Sequence, residues 1–188
     1  MLRTSLFGTQ PELIVTALLV CVFWPAASPA SAQEATAPPK TTHAVVETDA
    51  VPDSEDAADD PCIWIHPTDA SESLVIGTNK QGGLATYSLD GKQVQYMEVG
   101  EVNNVDLRYG FPLGDREADI VACNDRTTNT IRIFAVDPES RMLTDVTGSP
   151  MKSRLETYGL CMYRSAKDGR YYVFIATKPG EVEQWKLS

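Results

Sequence analysis

From about residue 51 onward the apolar positions fall in short runs of strand length, some alternating with polar residues and some continuous. No stretch sustains the three-to-four-residue period of a long amphipathic helix. Turn signals separate the runs: Gly82-Gly83, Asp90-Gly91, Asp137-Pro138, Asp168-Gly169 and Pro179-Gly180. The pattern predicts an all-β chain. Three segments can be laid over one another: "LVIGTNKQGGLATYSLDG" from Leu74, "DIVACNDRTTNTIRIFAVDP" from Asp119 and "YVFIATKPGEVEQWKLS" from Tyr172. Each reads as an apolar strand, a polar turn holding one strong base, and an alternating strand. The bases are Lys80, Arg126 and Lys178, with separations of 46 and 52 residues. A further run precedes each unit: "DPCIWIHP" from Asp60, "NVDLRYGF" from Asn104 and "YGLCMYRS" from Tyr158. Strands in sets of up to four, recurring about every 40–50 residues, predict β-propeller blades, about three of them here; an ordinary antiparallel sandwich is the competing architecture.

The repeat carries a geometric consequence. In an up-and-down blade the start of the first strand and the end of the second lie at the same edge of the sheet. Asp60, Asn104 and Tyr158 should therefore share an edge with Lys80, Arg126 and Lys178, and first strands line the channel of a propeller. The stretch "DSEDAADDP" brings five carboxylates in eight residues, Asp53 to Asp60, to that mouth. Asp53, Glu55 and Asp56 are expected to be a solvated loop. Asp60, set against Pro61 at a strand start, is expected to be a ligand-binding carboxylate. Carboxylates and carbonyls suit Ca²⁺, and Lys and Arg suit phosphate oxygens. Other phosphate chemistries find no motif. "GTNKQGG" places Gly83 where a phosphate-binding loop needs Lys. No cysteine has an Arg six residues on, and no Arg-His-Gly occurs. A phosphatase of this sequence would use metal-activated water.

Charge and targeting narrow the picture further. The net charge of -10 over 188 residues argues against a nucleic-acid or membrane-surface partner. The run "LIVTALLVCVFW" followed by "ASPASA" reads as a secretory leader over 1–32, cleaved after Ala32, giving a secreted or periplasmic protein with no membrane attachment after cleavage. Residues 33–50 form a Pro/Ala/Thr-rich linker with a possible N-terminal strand, and 51–188 form the propeller domain. Cys62, Cys123 and Cys161 all sit in apolar runs and are expected to be small buried core residues.

"DAADDPCIWIHP", "LVIGTNKQGGLATYSLDGK", "NNVDLRYGFPL", "NDRTTNTIRIFAVDP", "YGLCMYRS" and "KPGEVEQWKL", taken in order, resemble the N-terminal half of the β-propeller phytases. The resemblance implies a six-bladed propeller that uses Ca²⁺ to hydrolyse phosphomonoesters of inositol hexakisphosphate (phytate), taken as its calcium complex, in the manner of a 3-phytase. It implies that Asp60 is a calcium ligand together with the carbonyls of Pro61 and Val105. Lys80, Arg126 and Lys178 are implied as phosphate-binding bases, and Tyr158 as a residue at the mouth contacting metal or phosphate. No residue is assigned as catalytic. Gln81 and Pro179 depart from the Bacillus-type members of the family, which have a second Lys and a Glu there. The sequence reaches Ser188 at about the third blade. The expectation is thus a partial propeller with exposed sheet edges, capable of self-association and with little turnover alone. The alternative is a non-catalytic half-propeller that binds or scaffolds.

Overall fold

The computed structural model describes residues 41–188; the expected leader, and the linker through residue 40, lie outside the described residues. Residues 41–50 of the linker form no strand. Twelve strands follow: β1 (Ala58–Trp64), β2 (Leu74–Asn79), β3 (Gly83–Ser88), β4 (Gln93–Glu98), β5 (Val102–Leu113), β6 (Arg116–Asp125), β7 (Thr130–Asp137), β8 (Met142–Asp145), β9 (Met151–Lys152), β10 (Gly159–Arg164), β11 (Tyr171–Ala176) and β12 (Val182–Lys186). Among the described residues the one helical element is a 3₁₀ turn, Ala70–Glu72, and no helix is long and apolar enough to cross a membrane.

The strands make three antiparallel sheets, ordered β1-β2-β3-β4, β5-β6-β7-β8 and β10-β11-β12, with β9 added on β7. Each sheet is an up-and-down meander, as the repeat predicts, and each is one blade of a partial β-propeller. The first strands are neighbours: β1 and β10 both pack against β5. The basic turns therefore gather at one edge of the three sheets.

The middle sheet is buried on both faces, which explains the near-continuous apolar run of β6 and β7. One face meets the first sheet through Val105, Leu107, Val121 and Phe134, packed with Trp64, Leu74, Ile76 and Leu84. The other face meets the third sheet through Ile120, Ile131 and Ile133, packed with Leu160, Met162, Val173 and Ile175. Successive side chains of a strand point to opposite faces, so adjacent Ile120 and Val121 serve different cores, both fully buried. The Trp64 indole anchors one edge of the first interface by donating to Asp119 Oδ2 at 2.8 Å, while Asp119 Oδ1 accepts from Gly110 N at 3.1 Å.

The outer face of the first sheet is covered by the segment that leads into β1. Asp49 N donates to the Gly91 carbonyl at 2.8 Å, and Gln93 N donates to Asp49 Oδ2 at 3.0 Å. Gly91 has φ +86°, and a Cβ there would lie 2.2 Å from the Glu47 carbonyl oxygen, so only glycine fits this close approach.

The cysteines correct one expectation. Cys123 is buried, Cys62 is half-buried and Cys161 is exposed; none is in a disulfide. Cys161 lies on the face of β10 turned away from the middle sheet, between Leu160 and Met162, which do face it. Nothing among the described residues covers that outer face, where Tyr163 and Val182 are also exposed.

Placing both faces of the middle sheet in separate cores leads to an expected outcome. Ile120→Ala should destabilise the protein by about 2–5 kcal/mol, and Val121→Ala by somewhat less, through lost burial and residual cavity. Ile63→Ala, at a position 56% exposed, should cost under about 1 kcal/mol. Urea unfolding of the three variants checks this, and equal losses in all three would contradict the two-core arrangement.

Candidate functional site

Two β-bulges shape the edge where the basic turns meet. In β1 the register shifts between Ala58 and Pro61, so Asp59 and Asp60 together oppose Thr78. In β5 it shifts between Val102 and Val105, so Asn103 and Asn104 oppose Asn124. A bulge interrupts the ladder and re-aims the side chains beside it. The third sheet has no such shift, with Gly159 opposite Ala176 in regular register.

The groups that the bulges free are satisfied between sheets. Asp60 Oδ2 accepts from Val105 N and from Asn104 Nδ2, each at 3.0 Å. Val105 is buried, so without the carboxylate its N–H would have no water to turn to. Asp106 repeats the device one sheet on, its Oδ2 accepting from Met162 N at 2.7 Å.

Lys80, Arg126, Lys178 and Tyr158 line one cleft of about 420 Å³, together with Asp56, Gln81, Glu101 and Asn103. The convergence expected from the repeat is therefore present. Lys80 Nζ lies 2.8 Å from Asp56 and 3.5 Å from Asp59. The hydrogen bond that Lys80 donates to Asp56 leads in holding its ammonium above its ordinary pKa, with the charges of Asp59 and Asp56 adding to it, so it stays charged. Arg126 Nη2 donates to the Lys80 carbonyl at 3.0 Å and lies 3.7 Å from Glu101 Oε2. Its Nη1 makes no hydrogen bond among the described residues. The Lys178 ammonium sits 4.8 Å from the centre of the Tyr158 ring, a cation–π geometry. The cleft thus carries three cations against two carboxylates in a chain whose net charge is -10. A polyanion could be drawn to this position while the rest of the surface repels it.

Asp60 and Pro61 line a neighbouring cleft of about 390 Å³, with Glu47, Asp49, Asp53, Glu55 and Asp59; Val105 lines neither cleft. Asp59 joins the two sites, because it lines the acidic cleft and also pairs with Lys80. Asp53, Glu55 and Asp56 are all exposed, as expected of a solvated loop, and two of them are also paired. Asp56 pairs with Lys80, and Asp53 Oδ2 accepts from Asn79 Nδ2 at 2.6 Å. Glu101 and Asn103 were not singled out in the sequence. Both stand just before the second first-strand run, a position whose exposure to the cleft depends on the bulge.

The carboxylates lining the cleft beside Asp60, from Glu47, Asp49, Asp53, Glu55 and Asp59, offer oxygen, which suits a hard cation such as Ca²⁺. Asp60 Oδ2 is already committed to β5, and no cluster of three or more His, Cys, Asp or Glu is assembled among the described residues. The described residues therefore fit a fraction of a calcium shell rather than all of it. Cys62 and Cys123 are disfavoured as nucleophiles. Burial, with Asp106 and Asp60 nearby, pushes the Cys62 thiol up to about 12, and burial pushes Cys123 higher still.

Known proteins of similar sequence give the family. A family model described as Phytase matches residues 11–188. A curated protein named 3-phytase, from Bacillus subtilis (strain 168), is 43% identical over 146 residues, which covers 75% of this chain and 38% of that relative. The chain thus spans well under half the length of the relative it matches.

The Asp60 bridge gives the testable outcome at this site. Asp60→Ala should cost about 1–3 kcal/mol, because it strands the buried Val105 N–H. Asn104→Ala added to Asp60→Ala should cost less than Asn104→Ala alone, since the bond from its amide nitrogen is already gone while that from Asn103 Nδ2 to its oxygen is not. A double-mutant cycle by urea denaturation checks this, and fully additive losses would show that the two side chains are not coupled.

Proposed function

The chain belongs to the phytase family, and we propose that it forms the phosphate-gripping part of a secreted, calcium-dependent enzyme that hydrolyses phosphomonoesters of inositol hexakisphosphate. The observation that carries this reading is the gathering of Lys80, Arg126, Lys178 and Tyr158 in one cleft of an otherwise acidic protein. Export, expected from the leader, belongs to the same proposal, as does self-association through the exposed Tyr163 and Val182.

In this reading the bases take hold of phosphate oxygens. Lys80 exchanges Asp56 and Asp59 for the phosphate, so part of the binding energy is spent on separating ion pairs already made. Arg126, with Nη2 fixed on the Lys80 carbonyl, presents Nη1 to a second oxygen. Lys178 approaches from the third sheet over the Tyr158 ring. Donors from three separate sheets hold the phosphorus in one orientation, which is the prerequisite for in-line attack by water. Water attacks phosphorus, the bond from phosphorus to the inositol oxygen breaks, and that oxygen leaves as the alcohol with a proton. When bound, calcium held by Asp60 and the carbonyls of Pro61 and Val105 would neutralise phosphate charge and make water a better nucleophile.

Titration calorimetry with inositol hexakisphosphate, with and without calcium, tests the reading. Binding should be measurable and weakened by a calcium chelator. Replacing Lys80, Arg126 or Lys178 by Ala should each lower affinity about tenfold, the scale of a charge-assisted hydrogen bond. Affinity that survives all three substitutions would place the phosphate site elsewhere. Phosphate release by the same protein, lost with the chelator, tests the hydrolytic half of the proposal.

A further inference from the structure

Two buried polar side chains, Thr78 and Asn124, occupy the same place in the first and second sheets. Each stands two residues before the base of its turn, Lys80 or Arg126, and each opposes the bulge of its own first strand. They are 2% and 0% exposed, so their polar atoms must be paired within the protein. Both are paired in the same sense. Thr78 Oγ1 accepts from Asp60 N of its own first strand at 2.9 Å and donates to the Asn103 carbonyl of the next sheet at 3.3 Å. Asn124 Oδ1 accepts from Asn104 N of its own first strand at 2.8 Å, and its Nδ2 donates to the Tyr158 carbonyl ahead of the third sheet at 3.1 Å.

The third sheet supplies the internal comparison. Ala176 holds the corresponding place two residues before Lys178. It has no polar side chain, no bulge lies opposite, and Tyr158 N donates instead to the Ala176 carbonyl at 3.0 Å. At this edge the brace accompanies the bulges of β1 and β5; the third sheet has neither, and no further sheet follows it among the described residues. The far end of the brace falls each time on a residue that lines the basic cleft, Asn103 or Tyr158.

We propose that Thr78 and Asn124 are positioning residues that fix the spacing of the three basic turns by tying each bulged first strand to the start of the next sheet. The proposal rests on the phosphate reading of the cleft for its functional consequence, but not for its geometry. Asn124 sets where Tyr158 stands, and Tyr158 carries Lys178 on its ring face. Thr78 sets where Asn103 stands relative to Asp60. Asparagine suits the second brace because it offers one acceptor and one donor; aspartate would turn an acceptor toward the Tyr158 carbonyl.

The test compares Asn124→Asp and Thr78→Val with Thr78→Ser and with Thr86→Val as a control. Thr86 is equally buried in the first sheet, and its hydroxyl has no hydrogen-bond partner among the described residues. The first readout needs no ligand: the ring-current shift of the Lys178 methylene protons by NMR, with the remaining spectrum reporting that the protein is folded. The second is the affinity for inositol hexakisphosphate by calorimetry. Asn124→Asp should collapse the Lys178 shift in a folded protein. Asn124→Asp and Thr78→Val should each weaken binding about fivefold, the scale of one lost hydrogen bond. Thr78→Ser should restore it and Thr86→Val leave it unchanged. Loss of the Lys178 shift in a protein that binds no inositol hexakisphosphate even as wild type would support the brace while defeating the phosphate reading. Should Asn124→Asp not fold, Thr78→Val decides through affinity and its rescue by Ser. Folded variants with the wild-type Lys178 shift and wild-type affinity would overturn the proposal.

Discussion

A β-bulge leaves backbone N–H and C=O groups without ladder partners, and buried groups of this kind have to be satisfied by something else. That constraint organises the edge where β1 and β5 begin. The groups freed there are met by side chains: Asp60 on Val105 N, Thr78 between Asp60 N and the Asn103 carbonyl, and Asn124 between Asn104 N and the Tyr158 carbonyl. Each of these bonds either crosses from one sheet to the next or holds the strand that does. The bonding that repairs the bulges therefore also sets the spacing between blades at the basic cleft. Apolar packing of the middle sheet on both faces supplies the bulk of the adhesion, but it is non-directional. The polar bonds at the edge supply direction.

The fold was readable from the chain because its repeat is a pattern of strand lengths and turn residues, and these follow from local sterics. The three basic turns fell at matching positions, and the division of neighbouring β6 and β7 residues between two cores follows from period two. Cys161 was not legible. "GLCMY" reads as a buried run, yet burial in a strand depends on which sheet faces it, and alternation assigns Leu160 and Met162, not Cys161, to the covered side.

The site was legible in part. Lys80, Arg126, Lys178 and Tyr158 could be grouped because each occupies one repeat position. Asp60 could be singled out by its Pro61 neighbour, though its bond to Val105 N could not be foreseen. Asp56 was assigned to a solvated loop and Glu101 was not singled out, because acidic loop residues are usually solvated; each pairs with the basic turn of its own sheet, Lys80 or Arg126. Thr78 and Asn124 carried no signal at all as single residues. They become meaningful only when the register shows that each faces a bulge, and that Ala176, which faces none, has no polar side chain to offer.

The central claim is that three bases from three sheets act on one phosphate. A crystal structure of the protein with bound inositol hexakisphosphate tests it most directly. The account predicts one phosphate group with oxygens within about 3.2 Å of the Lys80, Arg126 and Lys178 nitrogens, and Lys80 Nζ released from Asp56. A ligand bound elsewhere, or one lying in the cleft with the Lys80–Asp56 pair intact and no shared phosphate, would contradict it.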